Sequence, residues 1–201
     1  MSVKKFLIKF SLILVLFSSF IGKSFSLEPE KFVQSVVNKA SLILTKDNFT
    51  KEQKIEKLKS IAKESVDIQG IGYYSLGGHR KNLSADQKKK YLDAFEKYFL
   101  KSFASRLAEY TDPKIYVGSQ KKLNEKYTMV SSVLMATQEK PEVKIDWRIV
   151  TKNPDKPLII DVIIEGVSLA KVQKEEFNSV IQNNDGNINA LLASLEEFIN
   201  K

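Results

Sequence analysis

The chain has 201 residues, 43% hydrophobic and 28% charged, with one histidine, no cysteine and a formal net charge of +8. That is enough apolar content for one sizeable core, and the missing cysteines exclude a disulfide framework and leave no soft-ligand set for zinc. Half of the net charge comes from Lys4, Lys5, Lys9 and Lys23 in the first 26 residues, and what remains is too weak to argue for nucleic acid.

Those first residues read as an export signal. A lysine-bearing start is followed by an uncharged run from Phe10 to Ile21 and by Ser24-Phe25-Ser26, small residues at the two positions a signal peptidase reads. The apolar run is about a dozen residues, short of the roughly 20 that span a bilayer. Cleavage after Ser26 is therefore predicted, leaving a single domain from Leu27 to Lys201.

In the mature chain, Pro29 opens a helix whose buried stripe is Phe32, Val33, Val36, Val37, Ala40 and Leu44. Thr50 and Gln53 form a capping box ahead of a second helix with Ile55, Leu58, Ala62 and Val66 on one face. Ile68 to Leu76, carrying Ile71 and Tyr74, is short and apolar and stops at Gly77-Gly78. Ser84 and Gln87 begin the longest helix, on which Tyr91, Phe95, Phe99, Phe103 and Leu107 recur at steps of four. Such a ridge is either core packing or the wall of a ligand cavity.

After Thr111-Asp112-Pro113 the apolar period changes to two. Strands are predicted at Ile115 to Gly118, Tyr127 to Thr137, Val143 to Val150 and Leu158 to Ile164, an antiparallel meander on short turns. Val143, Ile145, Trp147 and Ile149 alternate with Lys144, Asp146 and Arg148, and Tyr127, Met129, Val133 and Met135 alternate less cleanly. Helices from Ser168 to Gln182 and from Asn187 to Phe198 close the chain around the turn Asn183-Asn184-Asp185-Gly186. The expected class is α+β: a four-stranded antiparallel sheet with helices covering one face.

Gly166-Val167-Ser168, a sharp turn between an apolar strand and a helix, has the outline of a nucleophile elbow. The elbow belongs to a parallel sheet, its motif here ends in Ala170 instead of glycine, and His79 is the only histidine available as a base. Ser168 is better read as a helix cap. The lysine runs Lys88-Lys89-Lys90 and Lys121-Lys122 read as solvated faces or as a contact surface for anionic lipid or an acidic partner.

Several stretches together resemble the MlaC, or toluene tolerance, family. They are SFASRLAEYTDPKIYVG (Ser102 to Gly118), VKIDWRI (Val143 to Ile149) and IIDVIIEGVSLAKVQKEEFNSVI (Ile159 to Ile181), with YYSLG from Tyr73 and DQKKKYLDAF from Asp86 in support. The sequence departs from the family pattern at Gly78-His79-Arg80 and at Lys156-Pro157, where aromatics are usual.

The resemblance implies a soluble, monomeric, periplasmic phospholipid carrier without catalytic activity or cofactor, the phospholipid being cargo. Its partners would be an outer-membrane lipoprotein complex and an inner-membrane ABC transporter complex with an MCE-type substrate-binding subunit. A secreted serine hydrolase using Ser168, or an envelope interaction protein with a solid core, is the alternative. The acyl chains would lie in an apolar cavity between sheet and helices. Met129, Val133, Met135, Ile145, Trp147, Ile160, Val162 and Ile164 are expected on its sheet side, facing Tyr91, Phe95, Phe99, Phe103 and Leu107. Ile71, Tyr74, Val167 and Leu169 complete the expected lining.

Overall fold

The computed structural model describes residues 28–201 except Glu139 and Pro154, so the predicted signal peptide lies outside the described residues. The elements are α1 (Pro29–Leu44), α2 (Lys51–Ser65), α3 (Ile68–Ser75), a 3₁₀ turn (Gly77–Lys81), α4 (Ala85–Leu107), β1 (Ile115–Asn124), β2 (Tyr127–Leu134), β3 (Val143–Val150), β4 (Leu158–Ile164), β5 (Val167–Ser168), α5 (Leu169–Gln182) and α6 (Ile188–Asn200). No helix among them is long and apolar enough to cross a membrane.

Local chemistry sets the helix boundaries. Both capping boxes form, Thr50 with Gln53 and Ser84 with Gln87, each satisfying two backbone N–H groups that would otherwise lack partners. Asp67 caps α3 by accepting from the Gly70 N–H at 2.9 Å. Asn187, not the first helical residue, caps α6.

The sheet is antiparallel throughout, in the order β1-β2-β3-β4-β5, and therefore has five strands where four were expected. The fifth is two residues long and exists because Glu165 (φ 48°) and Gly166 (φ 81°) both adopt positive φ, the pattern of a type I′ hairpin turn. Ile163 then pairs with Ser168 and Ile164 with Val167 before the chain enters α5. β1 continues six residues past its predicted end, since an irregularity between Val117 and Gln120 lets it resume pairing with β2. β2 instead stops at Leu134, short of Thr137.

Helices cover one face of the sheet. α1 packs on β1 and β2, while α3 and α5 pack on β4. At the N-terminal end of β4 the layers are stitched by a parallel bridge from Val66 to Ile159, with the Asp67 N–H donating to the Ile159 carbonyl at 2.9 Å. Val117, Val130, Ile149 and Ile159 supply the sheet side of the main core, against Val33, Val37, Tyr91, Phe95, Phe177, Ile181 and Leu191. Tyr116, on the opposite face, is 70% exposed.

Candidate functional site

The aromatic ridge of α4 is continuous as a stack: ring centroids are 5.8 Å apart for Tyr91–Phe95, 6.0 Å for Phe95–Phe99 and 5.7 Å for Phe99–Phe103. Its burial is not uniform. Tyr91 and Phe95 are 0% and 1% exposed, and Phe177 of α5 meets both edge-on at 6.4 and 6.1 Å. Phe99 and Phe103 are only half-buried at the margin of the core. Leu107 leaves the ridge altogether and packs with Leu44, Leu58 and Ala104 between α1, α2 and α4. A step of four residues overshoots one helical turn by about 40°, so four steps carry the ridge nearly half-way round the helix. The expectation that Leu107 lines the same wall as Phe99 is corrected by this winding.

Tyr91 is held by its hydroxyl, which donates to the Gly72 carbonyl at 3.1 Å, and burial pushes its ionisation far above the ordinary tyrosine range. Burial also raises the Tyr98 phenol, an effect reduced by its 3.1 Å hydrogen bond to Gln173. These groups stay neutral and structural.

On the sheet, the register places Ile145 opposite Ile164 and Trp147 opposite Val162, so these four share the face turned to the helices. Trp147, Val162 and Ile164 remain half-buried there, and Ile145 is 9% exposed. The expected phase of β2 is reversed. Thr128, Val130, Ser132 and Leu134 pair across from Ile149, Trp147, Ile145 and Val143, which puts Met129 and Val133 on the opposite face, beside Arg148 and Lys144. Met135 lies beyond the end of β2 and is 47% exposed.

The reversal has a physical reason. Trp147 donates its indole N–H to Ser132 Oγ at 2.8 Å, and Ser132 Oγ donates to the Ile145 carbonyl at 3.1 Å. A methionine or valine in that place would leave the indole donor without an acceptor. Met129 and Val133 instead stand across from Arg148 and Lys144 on the other face.

The other expected lining residues scatter. Ile71 is in the core at 8% exposure, whereas Tyr74 (45%), Val167 (53%) and Leu169 (46%) lie on the surface. Ile160 is the extra residue of a bulge, since Arg148 pairs with Asp161 and Ile149 with Ile159. Two surface clefts, of about 370 and 420 Å³, open near Tyr73 and Lys88; neither is lined by the residues expected to enclose a lipid cavity. What remains is narrower: Phe99 and Phe103 on α4 and Trp147 and Val162 on the sheet are each half-buried against the main core, and Ile164 is half-buried on the same sheet face as Val162.

Ser168 is the cap of α5, accepting from the Lys171 N–H at 3.1 Å, and its own hydroxyl donates to Asp161 Oδ2 at 2.7 Å. Asp161, 4% exposed, also accepts from the Ala170 N–H at 3.1 Å and lies 3.4 Å from Arg148 Nη1. His79 Nε2 is 2.9 Å from Asn178 Oδ1, so the hydrogen bond to Ser168 that a Ser-His dyad needs is not made. Sequence reading overlooked Asp161. Its signal was a lone acid inside an apolar strand, a placement that demands partners. Among the described residues no group of acids and histidine could hold a metal ion.

Comparison with known proteins gives three findings. No curated protein matches the chain significantly. A solved structure described as the phospholipid-binding protein from Ralstonia solanacearum in complex with a phospholipid has the same fold, with a TM-score of 0.72 at 16% identity over 86% of this chain and 97% of that one. The family model described as MlaC protein matches residues 34–197, nearly the whole described chain, and the chain belongs to the MlaC family.

Proposed function

We propose that the protein is a phospholipid carrier of the space between the two membranes of a diderm envelope, released there by cleavage after Ser26. In this reading it acts as a monomer. It exchanges lipid with an outer-membrane lipoprotein complex and with an inner-membrane ABC transporter complex bearing an MCE-type subunit. The observation that carries the reading is the phospholipid held by a protein of the same fold, taken with the half-buried apolar side chains of Phe99, Phe103, Trp147 and Val162 at the margin of the core.

The energetics fit a carrier better than a sink. Keeping roughly 30 methylenes from water is worth on the order of 24 kcal/mol, but a bilayer keeps them equally dry, so little of it separates the bound lipid from the membrane. Transfer either way then depends on docking. Acyl chains entering between the helices and the sheet would part a core to which Phe95, Val130 and Ile149 all belong.

Native mass spectrometry of protein purified after export tests this. One co-purifying phospholipid per chain is expected, and its amount drops severalfold in Val162→Trp or Ile164→Trp, whose indoles fill the face where Trp147 lies. A chain that is empty in every preparation, or variants that retain full lipid, would reject the assignment.

A further inference from the structure

A basic corner lies at the other end of α4. The 3₁₀ turn brings Arg80 and Lys81 beside Lys88 of α4, and two contiguous clefts share Tyr73 and Lys88. One, of about 420 Å³, is lined by Tyr73, Arg80, Lys81 and Lys88 alone. Neighbouring cations are neutralised locally, Lys89 by Asp93 at 3.2 Å and Lys90 by Asp86 at 3.0 Å. Arg80, Lys81 and Lys88 have no ion-pair partner among the described residues. Lys174 of α5 adds a further charge, its Nζ 5.3 Å from the ring centroid of the exposed Tyr74.

The corner is built, not draped. Gly77 enters the turn at φ 54°, and the 2.9 Å contact from His79 to Asn178 ties the turn to α5, so the backbone that carries Arg80 and Lys81 is anchored before any ligand arrives. Tyrosines next to unpaired basic side chains are the composition of a protein surface that meets lipid headgroups: the rings sit at the headgroup level while the cations meet phosphate. Eleven residues separate Lys88 from Phe99, about 16 Å along the helix, so contact at this corner leaves the half-buried apolar side chains at the core margin uncovered.

We propose that this corner docks the protein on an anionic phospholipid bilayer, seating one headgroup phosphate between Arg80, Lys81 and Lys88 with Tyr73 and Tyr74 at the interface. Docking of this kind goes beyond cargo carriage and does not depend on it.

Each cation near an anionic surface raises membrane partitioning about fivefold. Co-sedimentation of the full mature chain with vesicles of equal parts phosphatidylglycerol and phosphatidylcholine, against phosphatidylcholine alone, reads the effect. Binding is expected only to the anionic vesicles, weakening with salt and falling well over a hundredfold in R80E/K81E/K88E, which reverses three charges instead of removing them. The neutral R80Q/K81Q/K88Q, which removes no intramolecular ion pair, should fall on the order of a hundredfold and keep the parental melting temperature.

K114E/K121E/K126E, matched in charge and placed around β1, should lose much less. Equal loss in that control, retention of binding in both corner variants, or failure of the parent to bind anionic vesicles while an acidic protein captures it would overturn docking on lipid. Lipid content by native mass spectrometry is read separately: an empty chain that still sediments rejects the carrier and keeps the docking site, and a loaded chain that never sediments does the reverse.

Discussion

Phe95→Ala is expected to lower the unfolding free energy by about 4 kcal/mol, while Phe103→Ala, two turns along the same ridge, costs about half as much. Phe95 is 1% exposed and has ring contacts with Tyr91, Tyr98, Phe99 and Phe177, at 5.8 to 6.4 Å, so its removal opens a cavity that rigid neighbours cannot fill. Phe103 is only half-buried and, among the described residues, has one ring neighbour, Phe99, which leaves less surface to lose and more room to relax. Urea denaturation with a shared m-value separates the two. The division of the ridge into a closed and an open half would be wrong if the costs were equal. It would also be wrong if only Phe95→Ala, and not Phe103→Ala, reduced bound lipid in molecules that remain folded.

The second large effect centres on Asp161. Asp161→Ala removes a buried carboxylate that receives the Ser168 hydroxyl, the Ala170 N–H and the Arg148 guanidinium, and is expected to cost about 3 kcal/mol. Asp161→Asn retains an acceptor oxygen and costs less. Ser168→Ala removes one cap, worth about 1 kcal/mol. Because Ser168 bonds to both Asp161 and the first turn of α5, the double variant should cost less than the sum of the singles. Strict additivity in a double-mutant cycle would show that the carboxylate and the cap act independently.

Elements with strong local signals were legible in the sequence. The two capping boxes, the proline at the start of α1 and the alternation of β3 each fix structure through neighbours only a few residues away, and each was found where expected. The phase of β2 was not legible, because Tyr127, Met129 and Val133 outrank Thr128 and Ser132 in hydrophobicity. What decides the phase is the hydrogen bond from Trp147 to Ser132, a contact between strands. β5 escaped notice for a similar reason: a two-residue strand leaves no periodicity, and only the paired positive φ of Glu165 and Gly166 creates it.

The candidate site was legible as composition more than as place. Phe99, Phe103, Trp147, Val162 and Ile164 were picked out by spacing and alternation and are half-buried, the first four against the main core. Tyr74, Val167 and Leu169 entered with the family resemblance and lie on the surface. A helix read in steps of four is a straight line on paper and a spiral in space, which is why Leu107 was assigned to the wrong neighbours.

Trp147 is the sole tryptophan of the chain. Its ring is half-buried on the face proposed to receive acyl chains, and its N–H is fixed to Ser132. Solvent near that ring governs the colour of its ultraviolet emission, so the protein carries a native optical gauge of whether water or hydrocarbon occupies the gap beside it, with no label to disturb the fit.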